Sequence, residues 1–164
     1  MARLAYVRSY KDLIVYRKAR ALANDIFQLT KTFPREERFS LTDQVRRSSR
    51  AIGAQIAEAW GKRRYEKHFI SKLTDADGEQ METQHWLGVA YDCGYIDKDT
   101  ERALILRCEE IGRMLGSMIA KASVFCNPEA LSTFREPGPS YHTASDLTEF
   151  FIPPDDPNPP ETEH

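Results

Sequence analysis

Apolar side chains recur in alternating steps of four and three residues along four separate stretches of this 164-residue chain. An α-helix turns once every 3.6 residues, so this spacing places each set on one helix face. The first stripe consists of Val15, Ala19, Leu22, Ile26, Leu29 and Phe33. The second consists of Leu41, Val45, Ser48, Ile52, Gln55 and Ala59. The third consists of Phe69, Leu73, Ala76, Gln80, Thr83, Leu87 and Ala90. The fourth consists of Leu104, Cys108, Ile111, Leu115, Met118, Ala122 and Phe125. The pattern predicts an all-α protein.

The signals between the stripes predict short connections. Pro34 suits the first turn of the second helix, where its missing N–H has no partner to lose. Gly61 and Gly94 are expected near the ends of the second and third helices, and Asp97 and Asp99 are candidate N-caps for the fourth. Helices of this length joined by a few residues must fold back on one another. We therefore predict an antiparallel up-down four-helix bundle over residues 1–126.

The composition changes after that point, because eight of the nine prolines lie in residues 127–164. This segment also has eight acidic residues and one basic residue, a charge of −7, whereas residues 1–126 have 22 basic and 17 acidic residues, a charge of +5. We predict a disordered or loosely docked acidic, Pro-rich tail. Two aromatic groups, Tyr141 and Phe150-Phe151-Ile152, are candidates for docking on the bundle or on a neighbouring subunit.

The sequence disfavours a membrane-spanning protein, a secreted protein and a protein held together by disulfides or a zinc site. It contains no apolar run long enough to span a membrane and does not begin with a secretory signal, so we expect a cytoplasmic protein without membrane contact. Cys93, Cys108 and Cys126 are odd in number and widely spaced, which is typical of reduced thiols rather than disulfides or a zinc site.

The candidate catalytic patterns are weak. Glu82-x-x-His85 resembles half of a bundle di-iron site, but such a site needs a second pair, and the first and fourth helices contain no histidine. The chain also has no nucleophile signature and no glycine-rich phosphate loop. We therefore expect no enzymatic activity, no catalytic residue, no bound metal and no cofactor.

Polar residues are frequent on the second and third helices. The carboxylates of Asp75, Asp77, Glu79 and Glu82 are spread around the third helix, which indicates a solvated face. Glu58 and Glu82 remain candidates for a buried polar network between the two helices. Its other candidate members are Ser48, Gln55, Gln80 and Thr83.

The strongest charge signal lies between Gln44 and Lys72, where eight basic residues meet two acidic ones, a charge of +6 in 29 residues. We predict RNA or DNA contact through seven of them, beside Trp60 and Tyr65, whose rings are candidates for stacking on a base. The predicted binding residues are Arg46, Arg47, Arg50, Lys62, Arg63, Arg64 and Lys67. The alternative is a solvated face with salt bridges between subunits. The acidic tail is interpreted either as a competitor for this surface or as a solubilising appendage.

Several segments in order resemble one known family over residues 10–122. They are Tyr10-Lys11-Asp12-Leu13, Phe33-Pro34, Gln44-Val45-Arg46-Arg47-Ser48, Gln55-Ile56-Ala57-Glu58-Ala59-Trp60-Gly61, Ala76-Asp77-Gly78, Glu82-Thr83-Gln84 and Gly94-Tyr95-Ile96. This order is similar to that of the S23-like four-helix bundle proteins encoded within intervening sequences of bacterial 23S ribosomal RNA genes. The chain departs from the family pattern at Gln55, Ala59 and Glu79.

The resemblance implies an antiparallel bundle that assembles into a homopentamer and has no agreed enzymatic activity. A related accessory protein of diversity-generating retroelements binds nucleic acid and a reverse transcriptase through a basic surface, so the resemblance also implies such partners. We therefore expect a non-enzymatic homopentamer that binds RNA or DNA. The alternative function is a protein–protein scaffold with no nucleic-acid role.

Overall fold

The computed structural model describes residues 9–127 and 147–152. Its long helices are α1 (Ile14–Thr30), α2 (Leu41–Gly61), α3 (Glu66–Asp92) and α4 (Lys98–Ala120), followed by the single turn α5 (Ala122–Phe125). Short 3₁₀ turns cover Tyr10–Asp12, Arg35–Glu37 and Thr148–Phe150. Each long helix packs on the preceding one and α4 packs back on α1, which confirms the predicted four-helix bundle.

The predicted stripes form the core. All seven residues of the α3 stripe and all seven of the fourth stripe are buried. The exceptions in the first two stripes are Leu29 and Gln55, which are half-buried. The periodicity therefore predicted the inward face of every helix.

Two predicted helix ends are confirmed. α2 ends at Gly61, and α3 ends two residues before Gly94, which has a φ of +75°. A left-handed backbone of this kind strains side chains other than glycine. Asp97 caps α4, since its Oδ1 accepts a hydrogen bond from the Thr100 N–H at 2.7 Å.

The prediction that Pro34 lies in the first turn of the second helix is wrong. Pro34 instead precedes the 3₁₀ turn Arg35–Glu37, and α2 begins later, at Leu41. The Glu37 carboxylate explains this start, because its Oε2 accepts a hydrogen bond from the Leu41 N–H at 3.1 Å. The same carboxylate accepts a hydrogen bond from the Tyr95 hydroxyl at 3.0 Å, which ties the connection to the end of α3.

A polar network between α2 and α3 is present, but with fewer members than predicted. The Thr83 hydroxyl donates to Ser48 Oγ at 3.0 Å in the buried seam, and the Lys72 ammonium donates to Gln55 Oε1 at 3.5 Å. Gln80 instead donates to Asp77 within α3, at 2.9 Å. Glu58 and Glu82 are exposed, so the prediction that they are buried is wrong; Glu58 pairs with Lys72 of α3 at the surface, at 3.5 Å. Across residues 9–127 and 147–152, every buried side-chain polar atom has a hydrogen-bond partner.

Part of the acidic tail docks on the bundle, as predicted for Phe150-Phe151-Ile152. Phe150 and Phe151 are buried, with ring centroids 5.2 and 6.1 Å from that of Phe125. The Phe151 ring also lies edge-on to Trp60 at 6.1 Å. These aromatic contacts extend the core at the end of the bundle where α1 begins. Tyr141, the other docking candidate, lies outside the described residues.

The glycines of α4 provide a matched test of the α3–α4 packing. A Cβ at Gly112 would lie 2.8 Å from Gln80 Nε2, whereas a Cβ at Gly116 would meet nothing within 4 Å. Alanine is favoured over glycine in a helix by about 1 kcal/mol, so Gly116→Ala should raise the free energy of unfolding by about that much. Gly112→Ala should give clearly less stabilisation than Gly116→Ala, because the Gln80 amide must move away from the added methyl group and disturb its hydrogen bonds with Asp77 and Gln84.

Urea denaturation of both variants measures the difference. Equal stabilisation by the two substitutions would show that Gln80 does not pack against α4.

Candidate nucleic-acid interface

The seven predicted binding residues fall at three places on the bundle. Arg46 and Arg50 lie on the edge of α2 that faces α1, Arg47 lies on the side that faces α3, and the remaining four lie at the α2–α3 junction. Fifteen residues separate Arg46 from Gly61, or about 22 Å along a helix. The residues that the sequence groups together therefore form no single patch.

Arg46 and Arg50 meet the side chains of α1. The Arg46 Nε donates a hydrogen bond to Thr30 Oγ1 at 2.7 Å, and its guanidinium lies 4.7 Å from the centroid of the Phe27 ring. The Arg50 guanidinium lies 5.2 Å from the same ring, and the Lys31 ammonium lies 4.8 Å from it. Three cations thus surround one half-buried ring, at distances where the face of an aromatic ring attracts positive charge.

A groove continues this cationic edge along α1 and α2. It has a volume of about 390 Å³ and is lined mainly by small residues, with Arg20 and Arg50 as its charged residues. The lining residues are Tyr10, Tyr16, Ala19, Arg20, Ala23, Asn24, Ser49, Arg50, Gly53, Ala54 and Ala57. We call Arg20, Lys31, Arg46 and Arg50, with the Phe27 ring and this groove, the basic α1/α2 face.

The cations of this face differ from those on the other side of α1. Toward α4, Lys18 pairs with Glu110 at 3.0 Å and Arg107 pairs with Asp25 at 2.6 Å. Within residues 9–127 and 147–152, none of the four cations of the basic α1/α2 face forms an ion pair with a carboxylate. Among the described residues, no carboxylate neutralises these four charges.

Arg47 has acidic neighbours. Its guanidinium lies 3.6 Å from the Asp43 carboxylate, one turn earlier on α2. Burial raises the pKa of Glu79 on α3, with the charges of Glu82 and Asp75 adding to the rise, and the charge of Arg47 opposes it. The positive charge of Arg47 therefore lies close to carboxylates of α2 and α3.

The cations of the α2–α3 junction are partly engaged. Lys62 pairs with Glu58 at 2.9 Å, and Arg63 donates to the Trp60 carbonyl at 2.7 Å while its guanidinium lies 4.0 Å from the Trp60 ring. Arg64 and Lys67 are exposed. Lys72, the eighth cation of the predicted run, pairs with Glu58 at 3.5 Å and with Asp75 at 3.3 Å.

The two aromatic rings of the junction have opposite environments. Trp60 is only 6% exposed and packs under Phe151, so the prediction that it lies open for base stacking is wrong. Tyr65 is 58% exposed and keeps a ring face for such a contact, with the Arg64 guanidinium 5.8 Å from its centroid.

The residues considered for catalysis lie on the surface of α3. Trp86 Nε1 donates a hydrogen bond to Glu82 at 3.0 Å, and the His85 ring meets the Trp86 ring edge-on at 4.7 Å. Glu82 and His85 are both exposed, so they do not face the bundle interior. In the described part of the chain, no group of three or more His, Cys, Asp or Glu side chains is arranged to hold a metal ion.

The three cysteines are unpaired thiols in different surroundings. Cys93 is exposed, Cys126 is half-buried and Cys108 is buried in the α4 stripe. Burial raises the pKa of the Cys108 thiol to about 12, so this side chain stays protonated at neutral pH. Cys108 therefore serves as a small apolar core residue.

The sequence interpretation missed the contribution of α1. Arg20, Phe27 and Lys31 come from outside the basic run, and only the helical register brings them beside Arg46 and Arg50. Tyr16 and Arg20, like Phe27 and Lys31, are four residues apart, which puts each pair on one face of α1. That spacing next to the buried stripe is the signal that would have found them.

No described helix combines the length and apolar character needed to cross a membrane.

Comparisons with known proteins show what the bundle is similar to. A family described as 23S rRNA-intervening sequence protein matches residues 11–117. A crystal structure of a protein of unknown function from the S23 ribosomal protein family of Bacteroides thetaiotaomicron is 31% identical, with a TM-score of 0.60. The alignment covers 65% of this chain and 96% of that one. No curated protein shows a significant match.

Proposed function

The chain belongs to the family of 23S rRNA-intervening sequence proteins, and we propose that it is a non-enzymatic, homopentameric bundle that binds RNA or DNA. The basic α1/α2 face carries the contact, and the exposed cations of the α2–α3 junction add to it. We place the protein in the cytoplasm, where its three unpaired thiols stay reduced.

One observation carries the binding proposal. Arg20, Lys31, Arg46 and Arg50 converge from two helices, and the described part of the chain gives none of them a carboxylate partner. Long basic side chains reach phosphate oxygens and hold a nucleic acid without reading its bases. Among the described residues, these four cations form no ion pair that would have to break before a phosphate binds.

The proposed assembly is supported by the exposed apolar side chains of α3 and α4. Met81 and Leu106 are 58% and 51% exposed, and Tyr91 is 38% exposed. Burial of such side chains between subunits removes apolar surface from water. A subunit contact through α3 and α4 would leave the basic α1/α2 face outside.

A pair of matched double variants tests the binding surface. Arg20→Gln/Arg50→Gln removes two charges from the basic α1/α2 face, and Arg35→Gln/Arg38→Gln removes two exposed charges from the α1–α2 connection. At about 50 mM salt, where phosphate contacts are strongest, the first variant should bind RNA or DNA about tenfold more weakly than the wild type, and the second should bind nearly as well. Fluorescence anisotropy and electrophoretic mobility measure both affinities.

Equal losses in the two variants would mean that only net charge matters, which contradicts a defined face. The absence of binding to every RNA and DNA tested at this salt concentration would remove the proposal.

The second candidate function is a protein–protein scaffold, in which the helices form subunit contacts and the chain recruits another protein, for example a reverse transcriptase. One observation favours it: Phe39, in the α1–α2 connection, is 87% exposed. A projecting aromatic ring of this kind is a common anchor in protein interfaces.

Charge reversal at the junction separates the two functions. Because the proposal assigns the main phosphate contacts elsewhere, Arg63→Glu/Arg64→Glu should still give five copies of the 18.9-kDa chain in native mass spectrometry, with a smaller loss of affinity than Arg20→Gln/Arg50→Gln. Loss of the oligomer with no change in nucleic-acid binding would favour the scaffold.

A further inference from the structure

The groove between α1 and α2 combines an aromatic end with a cationic side. The rings of Tyr10 and Tyr16 meet edge-on at 4.9 Å at one end. Arg20 donates a hydrogen bond to the Tyr16 hydroxyl at 3.2 Å, and Arg50 lines the groove farther along. Extended proline-rich peptides dock in aromatic-lined grooves, and arginines select acidic ones. The groove thus suits a peptide that is both proline-rich and acidic.

The docked tail directs the chain toward this groove. Phe151 forms an isolated antiparallel bridge with Leu13, and the Ile152 N–H donates to the Asp12 carbonyl at 3.2 Å. Antiparallel partners run in opposite directions, so Phe151 and Ile152 point along the chain toward Lys11 and Tyr10. Tyr10 also lines the groove.

The segment that follows has the composition that the groove requires. Residues 153–164 contain five prolines and four acidic residues, with no lysine or arginine. Proline-rich chains extend by about 3.1 Å per residue, so twelve residues reach about 37 Å. The eight helical steps from Tyr16 to Asn24 span about 12 Å of α1, well within that reach.

We propose that residues 153–164 occupy the α1/α2 groove of the same chain. Pro153 and Pro154 lie against Tyr10 and Tyr16, and the carboxylates of Asp155 and Asp156 pair with Arg20. Glu161 and Glu163 extend to Arg50. The segment therefore competes with nucleic acid for Arg20 and Arg50. This competition rests on the proposed function, whereas the docking of the segment does not.

Photo-crosslinking of the full chain tests the docking directly. A benzoylphenylalanine replaces Ala54, which is exposed in the groove, or Ala103, an exposed alanine of α4 that serves as the matched control. Mass spectrometry should find adducts between position 54 and residues 153–164, and none from position 103. Equal or absent adducts would overturn the inference.

Mixing isotopically labelled and unlabelled chains identifies the occupant. Adducts within one chain support the inference, whereas adducts that join labelled to unlabelled chains would show that a second copy supplies the segment, which overturns it.

Nucleic-acid affinity tests the competition with full-length variants. At about 50 mM salt, Asp155→Asn/Asp156→Asn should bind nucleic acid about fivefold more tightly than the wild type. The tethered segment 153–164 competes at a high effective concentration, and this variant removes two of its ion pairs with the groove. Glu129→Gln/Glu136→Gln changes the net charge equally and should have little effect.

The outcomes separate this inference from the proposed function. Adducts at position 54 without any nucleic-acid binding would leave the docking standing and remove the proposed function. Binding that both pairs of substitutions leave unchanged, with no adduct at position 54, would overturn the docking and leave the proposed function standing.

Discussion

Burial of one stripe on each of four antiparallel helices decides where every charge on the bundle can lie. α2 turns Ile52 and Ile56 completely into the core. Since successive residues of a helix differ by about 100° in direction, this orientation puts Arg46 and Arg50 on the side of α1 and Arg47 toward α3. Neighbours in the sequence are thereby separated, and cations from different helices are brought together around Phe27.

The same packing makes the polar α2–α3 seam compatible with burial. Thr83 and Ser48 satisfy each other across the two helices, and Gly112 leaves room for Gln80 under α4. A hydrogen-bonded pair avoids the cost of an unpaired polar group in the core, so this seam, as far as the structure describes it, needs no further partner. At one end of the bundle, the rings of Phe150 and Phe151 complete the core.

Helical periodicity was enough to predict the four helices and their inward faces, because these depend on local spacing. The aromatic cluster Phe150-Phe151-Ile152 within a polar tail indicated a docked segment, but not whether it docks on its own bundle or on a neighbouring subunit. The preference of proline for the first helical turn misplaced the start of α2, since the Glu37 side chain, rather than Pro34, caps that helix. The count of charges along the sequence joined Arg46 to Lys67 as one surface and left out Arg20 and Lys31. Contacts between helices depend on how each helix is rotated about its axis relative to its neighbours. The residue composition of one segment gives no information on that rotation. The burial of Trp60 depends on a ring 91 residues later in the chain.

Membership in the family establishes the fold but identifies no ligand. The proposed nucleic-acid binding therefore requires that the four cations of the basic α1/α2 face contact phosphates. The salt dependence of binding measures this directly, since each phosphate contact adds about 0.7 to 0.9 to the slope of log affinity against log salt concentration. Removing Arg20, Arg46 and Arg50 together, by substitution with Gln, should lower the slope by about 2 to 3 for RNA or DNA. An unchanged slope in that variant would contradict the assignment of the phosphate contacts to the basic α1/α2 face.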